Sequence, residues 1–120
     1  MLRLVFALSL AALALTALPR SADADASNLI EWAPSVSLKV GQQKVIHGIR
    51  GETCGTLPGK NRLKTRFLKT GQIVYGKPGV RNSRSCGGMT PAVEVIFIAT
   101  TPGKETITVS GDKIRVTVTE

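Results

Sequence analysis

The stretch Thr101-Pro102-Gly103-Lys104-Glu105-Thr106-Ile107-Thr108-Val109-Ser110-Gly111-Asp112-Lys113-Ile114-Arg115-Val116-Thr117-Val118 alternates apolar and polar residues with period two. That period belongs to a half-buried strand, not to a helix, whose period is 3.6. Ser110-Gly111-Asp112 interrupts the alternation and is read as the turn of a closing hairpin between strands 105–109 and 113–118. Thr101-Pro102-Gly103 punctuates the chain before it. Upstream, residues 92–99 put Val93, Val95, Phe97 and Ala99 on one face, with Glu94, Ile96 and Ile98 on the other.

The same pattern extends toward the start of the sequence. Val36, Leu38 and Val40 alternate with Ser37 and Lys39, and Gly41-Gln42 turns the chain. Residues 44–49 read as a second strand, with Val45, His47 and Ile49 on one face and Ile46 on the other. A third strand is expected over 62–69 and a short fourth over 72–75. Residues 51–59 form a loop holding Cys54 and Pro58. Residues 76–91, rich in Gly, Pro, Ser and Arg, are expected to be irregular. No segment carries a sustained helical stripe, and no internal repeat is visible. Seven short strands separated by turn signals predict an all-β sandwich over residues 27–120.

The opening Val36-x-Leu38-x-Val40-Gly41 and the closing Thr101–Val109 and Ile114-x-Val116-x-Val118 patterns resemble a bacterial immunoglobulin-like (Ig-like) domain. They cover less than half of residues 27–120 and are patterns of fold, not of activity. The resemblance implies a single antiparallel Ig-like sandwich. The central Trp of antibody-like domains has no counterpart, because Trp32 precedes the first strand. Related sandwiches of the chagasin type block cysteine peptidases with loops at one end. Their asparagine-proline-threonine-threonine-glycine loop is absent here. Ser110-Gly111-Asp112 is also short for their arginine-proline-tryptophan motif.

Ahead of the domain, Met1-Leu2-Arg3 is a short basic start, and residues 4–18 are apolar except for Ser9 and Thr16. Pro19 ends the run, and Ala22-Asp23-Ala24 and Ala24-Asp25-Ala26 are small-x-small sites. This is the layout of a secretory signal peptide, expected to be cleaved at residue 26. The apolar run falls short of the roughly 20 residues of a membrane span, so no transmembrane segment is expected after cleavage. The expected location is periplasmic or secreted. Loss of residues 1–26 removes Arg3 and Arg20 with Asp23 and Asp25, so the net charge stays +8.

Two Cys in an exported chain imply one disulfide, Cys54–Cys86. In the Ig-like arrangement the second and fifth strands are antiparallel neighbours, which brings both cysteines to one end. A bridge closing about 30 residues contributes roughly 3 kcal/mol on the chain-entropy account. The rival reading is a metal or redox site. Cys86-Gly87-Gly88-Met89 with His47 falls one His short of a blue-copper ligand set, and His47 is the only His. No metal or other cofactor site is expected.

The positive charge is concentrated. Between Thr53 and Val93 there is no Asp or Glu, while Lys60, Arg62, Lys64, Arg66, Lys69, Lys77, Arg81 and Arg84 all fall there. On a strand over 62–69, Lys60, Arg62, Lys64 and Arg66 would share one face at ~7 Å intervals. Leu63 and Phe67 would face the core. One reading is an anion-binding face for lipopolysaccharide, acidic glycans or an acidic protein surface. The other is a solvated edge strand that charge protects from aggregation. Nucleic acid does not fit, because no aromatic pairs interleave the cations as stacking platforms.

The remaining polar residues do not assemble an enzyme. His47 sits on an apolar face and reads as a core or rim histidine. Ser83, Ser85 and Ser110 have no second His to activate them, and Glu52 and Glu94 are not a recognisable acid/base pair. Ile96 and Ile98 call for a cover on the second face of their strand, either the apolar lead-in Leu29–Trp32 or a partner protein; the tethered lead-in is the expected one. The sequence thus reads as a basic binding module rather than an enzyme, with peptidase inhibition or envelope assembly as the alternatives.

Overall fold

Residues 25–120 are described by a computed structural model. The expected secretory segment, residues 1–26, lies outside the described residues except for Asp25 and Ala26. The chain folds as β1 (Ser35–Lys39), β2 (Gln43–Arg50), a 3-10 turn (Lys60–Arg62), β3 (Arg66–Phe67), β4 (Gly71–Ser83), β5 (Gly88–Ala99), β6 (Gly103–Val109) and β7 (Asp112–Thr119). These seven strands form two sheets, ordered β1-β7-β6 and β2-β5-β4-β3. The architecture is an all-β sandwich. One pairing is parallel, β1 with β7, and the others are antiparallel.

Alternation builds the core. Val36, Ile107, Val109, Ile114, Val116 and Val118 come from the three-stranded sheet; Ile46, Ile73, Val95, Phe97 and Ala99 come from the other. Phe97 is fully buried at the centre. Burying side chains of this size stabilises by about 1.5–3 kcal/mol each. The outward positions of β1, β6 and β7 are Ser, Thr, Lys and Arg, as the period requires.

The closing hairpin is tighter than the sequence suggested. Its loop is the two residues Ser110 and Gly111, both with positive φ (52° and 83°), as a two-residue primed turn requires. Asp112 therefore belongs to β7, opposite Val109, and shares the inward face with Ile114, Val116 and Val118.

Four further expectations need correction. First, β2 carries a bulge between Val45 and His47. The extra residue lets Ile46 and His47 both turn inward, so both are buried. Second, the third strand is only Arg66–Phe67. Its partner β4 shifts register between Tyr75 and Pro78, which leaves no regular edge to pair with residues 62–65. Tyr75 instead donates its hydroxyl to the Lys64 carbonyl at 3.0 Å. Third, Phe67 is 81% exposed at the sheet edge, and Leu68 packs on the core in its place. Fourth, residues 76–91 are mostly strand. They form a long β4–β5 hairpin whose register runs to Ser83 opposite Gly88.

The lead-in covers a sheet face, packing at Gly48, Gly79 and Glu94. Ile30 is buried and its Cγ2 would lie 3.0 Å from a Cβ on Gly48. The Ile30 N–H donates to the Val80 carbonyl at 2.8 Å, and the Val80 N–H returns a bond to Asn28. Asn28 Nδ2 reaches Glu94 Oε2 at 3.2 Å, and the other carboxylate oxygen accepts the Lys77 N–H at 3.0 Å. The buried Glu94 is thereby satisfied on both oxygens.

Candidate anion-binding groove

Three connections meet at one end of the sandwich: the loop 51–59 after β2, the β4–β5 tip at 84–87, and the β6–β7 turn. The disulfide Cys54–Cys86 joins the first two. Across the gap between sheets, His47 Nε2 lies 2.8 Å from Asp112 Oδ2, which fixes the third to β2. Between these ties lies an open groove of about 1200 Å³.

Four arginines line it: Arg50, Arg62, Arg81 and Arg84. Two are held by main-chain oxygens. Arg50 Nη1 donates to the Gly51 carbonyl at 2.9 Å and its Nη2 to Ser85 Oγ at 3.2 Å. Arg81 Nη1 donates to the Gly48 carbonyl at 3.0 Å. Burial lowers the Arg81 pKa from its ordinary value; Asp112 opposes that shift and nearby Arg50 adds to it. Arg62 and Arg84 are exposed on the outer rim. Glu31, Glu52 and Asp112 also line the groove. Among the described residues, however, the only side-chain ion pair within 4.0 Å is His47 with Asp112. None of the four arginines lining the groove therefore has a carboxylate within ion-pair distance.

Trp32, 47% exposed, forms part of the wall. Its ring centroid stands 6.4 Å from that of His47, at a 31° tilt. His47 itself is not free for proton transfer. It is 1% exposed; its Nδ1 accepts the Gly48 N–H at 2.7 Å, while Nε2 faces Asp112. Nδ1 also lies 3.1 Å from the Gly48 carbonyl oxygen. Both nitrogens are engaged by the fold, so the pair acts as a clamp between sheets. Among the described residues, no three His, Cys, Asp or Glu side chains cluster as a metal site.

The structure separates the eight cations singled out in the sequence. Arg62, Arg81 and Arg84 come together in the groove. Lys60 sits on the 3-10 turn and Lys64 in the following loop, both exposed. Arg66 turns toward β6, with Nη1 donating to the Thr108 carbonyl at 2.9 Å. Lys69 lies beside Gly103 at the start of β6, and Lys77 is exposed at the β4 bulge. The expected single face of Lys60, Arg62, Lys64 and Arg66 does not form, because residues 60–65 are not a strand.

Sequence reasoning missed Arg50 and Trp32. Arg50 lies outside the acid-free stretch, and only its position four residues before Cys54 connects it to the disulfide-tied end. A second group of cations, Lys39, Lys104, Lys113 and Arg115, lies on the outward face of the three-stranded sheet among serines and threonines. Lys104 and Arg115 line a second, smaller concavity of about 500 Å³ there, together with Glu105, so it gathers one arginine against the groove's four. No family model, curated protein or solved structure matches the chain.

Proposed function

We propose that this chain is an exported binding module that takes an anionic ligand in the arginine groove at its disulfide-tied end. The observation that carries this reading is the convergence of Arg50, Arg62, Arg81 and Arg84 on one concavity without ion-pair partners. Guanidinium groups present planar forks of donors that suit carboxylate, sulfate and phosphate. Arg50 and Arg81 are already oriented by main-chain oxygens, so less rotamer freedom is lost on binding. Residues 1–26 carry the proposal of export.

The test is polyanion affinity as a function of salt. An Arg62→Ser, Arg84→Ser variant is compared with a Lys39→Ser, Lys104→Ser variant of equal charge. Each cation lost from a true contact set lowers the log–log salt slope by about one. Only the groove variant should show that drop. Equal drops in both variants, or none, would remove the reading.

One observation favours a second reading, peptidase inhibition. The three connections gathered at one end form a continuous loop surface of the kind a cleft-blocking inhibitor needs. Assay against papain-like peptidases decides it, and absence of inhibition rejects it.

A further inference from the structure

We infer that the groove's ligand is an acidic sugar chain: pyranose units bearing carboxylate or sulfate groups. This rests on the anion-binding reading above and specifies its ligand.

Arginines alone would serve any polyanion. The apolar part of the wall is what narrows the choice. Trp32 leaves 47% of its surface exposed, and Leu29 and Met89, 53% and 55% exposed, line the same groove. Large apolar side chains left open beside unpaired cations fit a ligand that is both apolar and anionic. A polyphosphate chain has no apolar surface to place there. A pyranose ring has one: its axial C–H bonds form a flat apolar face that packs on an indole ring, and its edge carries hydroxyls. The groove supplies one hydroxyl partner too, the exposed Ser85, backed by the buried Ser83. Ser83 and Ser85 stand with their Oγ atoms 3.3 Å apart, and Ser85 Oγ already meets Arg50. At about 1200 Å³ the groove is larger than the ~300–1,000 Å³ of a small-molecule pocket. A volume of that size has room for more than one sugar unit.

The chemistry of each part follows. Trp32 takes the ring face. Arg50 and Arg81, held by the Gly51 and Gly48 carbonyls, present forks to the acidic substituent of that ring. Arg62 and Arg84 at the rim meet the acidic groups of flanking units.

Trp32 is the only Trp, so its fluorescence reports on the groove directly. The experiment titrates the purified protein with a heparin oligosaccharide, an oligogalacturonate, a polyphosphate and a poly-glutamate peptide of similar charge. Calorimetry then compares wild type with Trp32→Ala and Trp32→Phe. At least one saccharide should change the Trp32 emission and bind at least tenfold more tightly than polyphosphate or peptide. Heparin carries sulfates and carboxylates and oligogalacturonate carboxylates alone, so the two arms show whether carboxylates suffice or sulfate is needed. Trp32→Ala should weaken the saccharide at least tenfold and leave polyphosphate binding unchanged, while Trp32→Phe restores most of the saccharide affinity. If polyphosphate or peptide binds as tightly as both saccharides, or Trp32→Ala weakens all ligands alike, the sugar assignment falls while the anion groove stands. If no polyanion binds at low salt, both fall.

Discussion

His47 Nε2 and Asp112 Oδ2, 2.8 Å apart, link the two sheets at the end that carries the groove. The bond exists because two local irregularities coincide. A bulge turns His47 inward on β2, and a two-residue turn brings Asp112 onto the inward face of β7. Replacing Asp112 by Ala strands a buried N–H, which costs about 1–3 kcal/mol. Asp112→Asn keeps an acceptor and should lose less. Denaturant midpoints of the two variants check this order; equal losses would contradict the clamp.

The disulfide ties the groove's two longest loops. Cys54→Ser with Cys86→Ser should reduce stability by about 3 kcal/mol on the chain-entropy account. It should also weaken polyanion binding, because loop 51–59 and the β4–β5 tip lose their mutual restraint. Urea unfolding and the binding assay together measure both effects. Unchanged binding would mean that the loops hold their places without the bridge.

Gly79 packs under the lead-in. A Cβ there would run into the Asn28 carbonyl, the acceptor of the Val80 N–H. Gly79→Ala should expel residues 28–30 and cost about 1–3 kcal/mol. Hydrogen exchange reads this at the Ile30 amide, bonded to Val80 at 2.8 Å in the wild type. Protection lost at Ile30 with β5 still protected is the expected outcome.

Tyr75 anchors the loop before β3. Burial raises its pKa above the ordinary 10.0, with the Arg66 charge acting the other way. The sign is that of a group easier to ionise when unfolded. Its contribution is fully present below pH 10.0 and is lost as pH rises through the folded value. Tyr75 is the only Tyr, so phenolate absorbance follows it directly. The folded protein should titrate above the unfolded one, and Tyr75→Phe should flatten that part of the alkaline stability curve.

The fold was legible wherever burial imposed alternation. Strands β5, β6 and β7 read directly, because Val95, Phe97, Ile107, Ile114 and Val116 repeat at period two. The pairing of the second and fifth strands followed from the Ig-like resemblance, and the disulfide from the two cysteines of a chain expected to be exported. The second half of β4 did not read, because Lys77-Pro78-Gly79 carries no alternation; backbone pairing and the lead-in hold it. The third strand was overread. Lys60, Arg62, Lys64 and Arg66 have the right spacing, but Phe67 beside them lies exposed on a two-residue edge. At the candidate site, Arg62, Arg81 and Arg84 were visible as part of an acid-free stretch. Arg50 and Trp32 come from β2 and the lead-in, and only the fold brings them to the same concavity.

The most direct test of the arginine groove is NMR mapping of side-chain signals during titration with a heparin oligosaccharide. The account predicts that the Nε–Hε resonances of Arg50, Arg81 and Arg84 shift together with the Trp32 indole N–H, at matching ligand concentrations. Shifts confined to Arg115 and to the amides around Lys39, Lys104 and Lys113 would place binding on the outer face of the three-stranded sheet and contradict it.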